Sequence, residues 1–141
     1  MKIEPYLFFN GRSEEALAFY GTALGAEVEF ISHYRDAPPP PAGGEGCGPG
    51  QAAPPDKIMH ASLRVGTTRI MVSDGNCTGE PHFQGFSLSI TVEDAAACNR
   101  VFDALADGGQ AIMPVAATFF SPAFGVVQDR FGVSWMVMVE G

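Results

Sequence analysis

Cysteine is scarce in this chain. Its 141 residues hold three, Cys47, Cys77 and Cys98, an odd number at wide spacing with no Cys-x-x-Cys. That excludes a disulfide scaffold, a zinc knuckle and a thioredoxin-like redox pair. Cys98 falls among apolar helix positions and reads as a small core residue. Neither Cys47 nor Cys77 has an activating base nearby in sequence, so no reactive role is assigned to either. Positive charge is also short. Eight Lys and Arg stand against 16 Asp and Glu, for a formal net charge of -8. Such a surplus repels phosphate backbones and anionic lipid surfaces, which argues against a nucleic-acid or membrane partner. No apolar run approaches the roughly 20 residues that span a bilayer. Met1-Lys2-Ile3-Glu4-Pro5 opens no apolar leader core, so a cytoplasmic protein is expected. Gly-x-Ser-x-Gly and a Ser-His-Asp order are missing. Gly43 to Gly50 is glycine-rich but is not followed by Lys-Ser/Thr and a helix, so it reads as a spacer and not a phosphate loop.

What is present suits one packed domain over residues 1–141, since 46% of residues are hydrophobic and 17% charged. Tyr6-Leu7-Phe8-Phe9 predicts a short strand that Asn10-Gly11 ends. A helix follows with Ser13 as its expected N-cap, Glu14 and Glu15 in the first turn, and Gly25 as its stop. Glu27 to Tyr34 alternates as a strand, with Val28, Phe30 and Ser32 expected on one face and Glu27, Glu29 and Ile31 on the other. Residues 36–56 hold seven of the 11 prolines and five glycines, a long excursion between two strands. Met59 to Val65 and Arg69 to Ser73 form a hairpin about Gly66-Thr67-Thr68. After a polar linker from Asp74 to Gly85, the order begins again. Ser87 to Val92 is a strand. A helix opened by Asp94 carries Cys98, Val101, Phe102 and Leu105 on one face and stops at Gly108-Gly109. Ala111-Ile112-Met113, Gly125 to Gln128 and Ser134 to Val139 are three further strands, the first expected to end at Pro114.

Both halves, residues 1–75 and 85–141, therefore read as βαβββ. Val65-Gly66-Thr67-Thr68-Arg69-Ile70 in the first answers Phe131-Gly132-Val133-Ser134-Trp135-Met136 in the second. Three passages carry a further likeness: Pro5-Tyr6-Leu7-Phe8-Phe9-Asn10-Gly11 with Glu14-Glu15-Ala16-Leu17-Ala18-Phe19-Tyr20 and Leu24-Gly25; Met59-His60-Ala61 through Ser73-Asp74; and Thr118-Phe119-Phe120 with Phe124-Gly125 and Asp129-Arg130-Phe131-Gly132-Val133-Ser134-Trp135. In these the chain resembles the PhnB-like branch of the vicinal oxygen chelate superfamily, which also holds glyoxalases, bleomycin-resistance proteins and extradiol dioxygenases. The resemblance implies an α+β fold, two βαβββ repeats forming curved mixed sheets around a cavity, and a homodimer.

Metal-dependent members of that superfamily hold a divalent ion through His and Glu at four strand positions, two per repeat. Carried onto this chain, those positions fall on Pro5, Ile70, Ser87 and Met136. None offers the imidazole or carboxylate donors that zinc, iron, manganese or nickel require, so no metal and no other cofactor is expected. With these residues turned inward, strand alternation predicts a lining of Leu7, Phe9, Ile70, Val72, Ser87, Ser89, Met136 and Met138. Phe119, Phe120 and Phe124 are expected to cap it, and Trp135 to point away into core. His60 shares a polar strand face with Ser62 and Arg64 and is the one catalytic candidate, as a general base or ligand contact. Asp74, Cys77, Glu80 and His82 form a local set of donors that matches no metal spacing. His33 is expected at the surface.

The expected function is metal-free binding of a small organic molecule in a largely apolar cavity. The acid surplus favours a cationic ligand. An alternative is a lyase, isomerase or dioxygenase-type enzyme that uses His60 with Arg64 or Ser62. A further one is a structural or regulatory dimer with the Pro/Gly stretch as its contact arm.

Overall fold

The computed structural model describes residues 1–36, 54–75 and 80–141. Its contacts divide the chain into two units, Met1–Pro81 and His82–Gly141. In the first, the elements are β1 (Tyr6–Phe8), α1 (Ser13–Leu24), β2 (Glu27–His33), a single 3-10 turn over Tyr34–Asp36, β3 (Ile58–Val65) and β4 (Thr68–Ser73). In the second they are β5 (Leu88–Val92), α2 (Ala95–Ala106), β6 (Gln110–Ala116), β7 (Phe124–Gln128) and β8 (Ser134–Val139). The sheet orders are β1-β4-β3-β2 and β5-β8-β7-β6, the same topology twice. In each, the first strand pairs parallel with the last and the other neighbours pair antiparallel. The fold is therefore α+β, a duplicated βαβββ unit with mixed sheets.

One side of each sheet is core. In the first unit Leu7, Ile70, Val72, Ala61 and Leu63 are buried on the side where α1 packs, and Phe9 meets Tyr20 of the helix at 6.1 Å between ring centroids. In the second, Trp135, Val137, Val139 and Val127 are buried on the side of α2, whose Cys98, Phe102 and Leu105 are themselves buried. Burial raises the Cys98 thiol above its usual pKa. The expected core role of Cys98 and Trp135 holds. Cys47, Cys77 and residues 37–53 of the Pro/Gly-rich stretch lie outside the described residues. The flanks of that stretch are bonded to each other, Tyr34 N–H to the Lys57 carbonyl at 3.0 Å and Arg35 N–H to that of Pro55 at 3.2 Å.

Three local expectations are corrected. Arg12, not Ser13, is the N-cap of α1, and it makes no side-chain cap bond. Asp74 takes over the task from 61 residues away in sequence, accepting the Ser13 N–H at 2.8 Å and the Gly11 N–H at 3.0 Å. In β2, the pairing slips between Val28, opposite Leu63, and Phe30, opposite Ser62. That bulge puts Val28 and Ile31 on the helix side and Phe30 and Ser32 on the other, so Val28 and Phe30 do not share a face. Pro114 sits inside β6 and does not end it. β6 is an edge strand with register shifts on both sides of Met113, where a missing N–H costs no ladder bond.

Candidate functional site

The face of the first sheet away from α1 is not polar, although β3 alone reads that way. Tyr6 and Phe8 of β1, Met71 of β4, His60 and Ser62 of β3 and Phe30 of β2 all lie on it. Tyr6 is 39%, Phe8 52% and Phe30 55% exposed, unusual for rings held on a regular sheet. They are not scattered. Tyr6 lies 5.1 Å from Phe8 and 5.5 Å from the His60 ring, and Phe30 lies 6.0 Å from His60 on its other side. The Tyr6 hydroxyl and His60 Nδ1 are hydrogen-bonded at 2.9 Å. Further along the strands are charges that answer one another: Arg64 reaches Glu27 at 2.8 Å and Glu29 at 3.8 Å, and Arg69 reaches Glu29 at 3.4 Å.

The open face of the second sheet has different chemistry. Ser89 and Thr91 of β5, Met136 and Met138 of β8, and Val126 and Phe124 of β7 share it. Ser87, just ahead of β5, is bonded to Ser134 at 2.7 Å. Phe120 stacks edge-on against Phe124 at 5.0 Å, and Phe119 against Phe120 at 5.1 Å. Thr118 Oγ1 accepts the N–H groups of Phe120 and Ser121, which fixes that turn. Phe119 is fully exposed at its tip.

The expected lining thus divides by half. Ser89, Met136 and Met138 occupy the open face of their sheet, with Ser87 and Phe120 beside it. Leu7, Phe9, Ile70 and Val72 are buried on the helix side of theirs, one residue out of step. Because side chains alternate along a strand, that single residue exchanges the whole lining for Tyr6, Phe8 and Met71. The lining expected from the sequence leaves these three out. The signal for them was the run Tyr6-Leu7-Phe8-Phe9, in which parity alone decides which aromatics are core.

The donor chemistry does not fit the metal that the superfamily implies. Across the parallel ladders, Tyr6 lies opposite Met71 in the first sheet and Ser89 opposite Met136 in the second. Phenol, hydroxyl and thioether groups are a poor set for a hard or borderline divalent ion. Among the described residues no three His, Cys, Asp or Glu side chains come together as a metal site. Asp74 is committed to the backbone, since it also accepts the Ile58 N–H at 2.7 Å. His82 meets Gln84 at 3.3 Å, and the Glu80 carbonyl accepts from the Asn10 side chain at 3.1 Å. Cys77 of that set lies outside the described residues. His33 stands 3.7 Å from Asp36 at the end of β2, away from the aromatic group.

A family model described as 3-demethylubiquinone-9 3-methyltransferase matches residues 1–138. The chain belongs to that PhnB-like family. It is 35% identical to Protein YjdN of Escherichia coli over 99% of this chain and 95% of that one. Among solved structures, PA1353 from Pseudomonas aeruginosa is 38% identical with a TM-score of 0.80, covering 99% of this chain and 98% of that one. A putative 3-demethylubiquinone-9 3-methyltransferase, PhnB protein, from Bacillus cereus is 29% identical with a TM-score of 0.77, covering 99% of each. A glyoxalase-related enzyme from Fulvimarina pelagi, 15% identical with a TM-score of 0.63 over 99% of this chain and 88% of that one, shares the fold alone. Among the described residues, no helix of this PhnB-like protein is long and apolar enough to cross a membrane.

Proposed function

We propose that this PhnB-like protein binds a small organic molecule without a metal, on the open face of its first sheet, and does so as a homodimer. The observation that carries the reading is the cluster of Tyr6, Phe8 and Phe30 around His60. Aromatic surface left in water is costly by roughly 25 cal/mol per Å², and a planar ligand laid on these rings recovers that term. Their polar neighbours are few and fixed, the usual make-up of a small-molecule site. The whole chain's acid surplus favours a cation, but on this face Arg64 and Arg69 balance Glu27 and Glu29, so the face itself selects for no charge. Val28, Ile31, Ile112 and Met113, exposed on the edge strands β2 and β6, supply apolar surface for a second copy.

Elemental analysis of protein purified without chelator tests the reading, together with native mass spectrometry of the dimer. The expected result is a dimer with sub-stoichiometric metal and a retained organic mass. One zinc, nickel, manganese or iron per chain overturns it. An enzyme using His60 is the second reading, favoured by the Tyr6–His60 bond, since an oriented imidazole is the common form of a general base. Unchanged turnover of a discovered substrate by His60→Ala removes it.

A further inference from the structure

A polar bond inside the site carries information about the ligand, given the organic-ligand reading above. Tyr6 and His60 are joined hydroxyl to Nδ1 at 2.9 Å. Two arrangements share that distance. The phenol O–H can donate to an unprotonated Nδ1, or a protonated Nδ1 can donate to the phenol oxygen. A neutral imidazole nitrogen is a much better acceptor than a phenol oxygen, so the first is favoured. The ring proton then resides on Nε2. Among the described residues, Nδ1 is the nitrogen of His60 that has a hydrogen-bond partner. Its ring neighbours at the site, Tyr6 and Phe30, present aromatic edges and faces. An N–H donor among rings, with its tautomer set by a second side chain, is complemented by a hydrogen-bond acceptor carried on a planar apolar body, for which a carbonyl oxygen is a suitable group.

The geometry points to Tyr6 and His60 as an acceptor-reading pair, in which Tyr6 orients the imidazole and His60 Nε2–H binds a carbonyl or comparable oxygen of an aromatic ligand. Tyr6 is a positioning residue and His60 the contact. The occupant is thus an aryl ketone, quinone-like or related oxygen-bearing aromatic compound, and not a pure hydrocarbon or an aliphatic ammonium ion. Ser62 and Met71 are paired across β3 and β4 on the same face.

The test uses two probes of matched shape in which a C=O is replaced by a C=CH2, 1-acetylnaphthalene and 1-isopropenylnaphthalene. Each is titrated into the full chain with ring-proton and imidazole-nitrogen NMR as readout. The wild type is expected to bind the ketone about five- to tenfold more tightly, the worth of one neutral hydrogen bond, with the shifts at Tyr6, Phe30 and His60. His60→Phe, which keeps an aromatic ring, is expected to bind both probes alike. Tyr6→Phe keeps the stacking surface, and in it the ketone preference should shrink while the imidazole loses its single Nε2–H tautomer. A wild-type ring protonated on Nδ1, or equal affinity for the two probes, overturns the inference and leaves the organic-ligand reading standing. Binding of neither probe at these residues overturns both.

Discussion

The two sheets share strand order, helix placement and pairing, yet their open faces are built from different chemistry. The first presents rings around an imidazole, flanked by ion pairs. The second presents Ser89, Thr91, Met136 and Met138, with Phe120 laid over Phe124. Their cores differ far less. Each unit also hides one carboxylate that accepts three N–H groups. Asp74 takes those of Gly11, Ser13 and Ile58, and Asp129 those of Phe131, Val133 and the Trp135 indole. Asp74 follows the last strand of its repeat and Asp129 precedes the last strand of the other, so the duplication is seen in strand order and pairing and not in these carboxylates or in the open faces. Function is therefore sought where the halves disagree, and the face with fixed aromatic and imidazole groups is the stronger candidate.

The largest effects should come from the two buried carboxylates. Asp129→Ala strands three buried donors at once, and Asp74→Ala two buried donors and a half-buried one, and each is expected to cost about 3 kcal/mol of stability in denaturant unfolding. Asp74 secures the start of α1 and Asp129 the turn before β8. Amide exchange should therefore speed up first at residues 11–16 in one variant and at 129–135 in the other. Identical exchange patterns would break the comparison.

A smaller loss is expected at Gly109. A Cβ there would run into the Gln128 carbonyl and the Asp129 backbone, so Gly109→Ala must shift the chain, at about 1–3 kcal/mol by thermal unfolding. Gly25 in the first unit, with φ of 67° and open space around it, would meet strain and no clash. Gly25→Ala should therefore cost only about 1 kcal/mol, and a larger loss than at Gly109 would reverse the contrast.

Much of this was legible in the sequence, and the failures have a common cause. The duplicated βαβββ order, the α2 cap at Asp94, which accepts the Ala97 N–H at 2.8 Å, and the burial of Trp135 follow from local periodicity and spacing. What escaped was set by distant partners. The cap of α1 comes from Asp74, and the bulge in β2 is seen only against β3. Landmarks such as the two Gly turns align the repeats to within one residue. One residue is also the distance between the two sides of a strand, so Leu7 and Ile70 lie on the helix side of their sheet with Tyr6 and Met71 on its open face, while Met136 and Met138 lie on the open face of theirs.

The remaining effects are small by design. Tyr6→Phe and His60→Phe should each change stability by no more than about 0.5 kcal/mol, because the pair is partly exposed and lies outside the core. A large loss in either would make the pair a structural feature and erase the functional contrast between faces. Cys98 should resist alkylation in the native state, since burial raises its pKa and suppresses the thiolate. Peptide-resolved labelling with iodoacetamide should therefore follow unfolding at that site, and fast native labelling would show the α2 core to be open.

The most direct test is chemical-shift mapping of the chelator-free protein against a library of small aromatic compounds. Perturbations that converge on the rings of Tyr6, Phe8, Phe30 and His60, with no metal at stoichiometry, are the predicted outcome. Hits confined to the Met136 and Met138 face, or a bound divalent ion whose removal abolishes the hits, would contradict it.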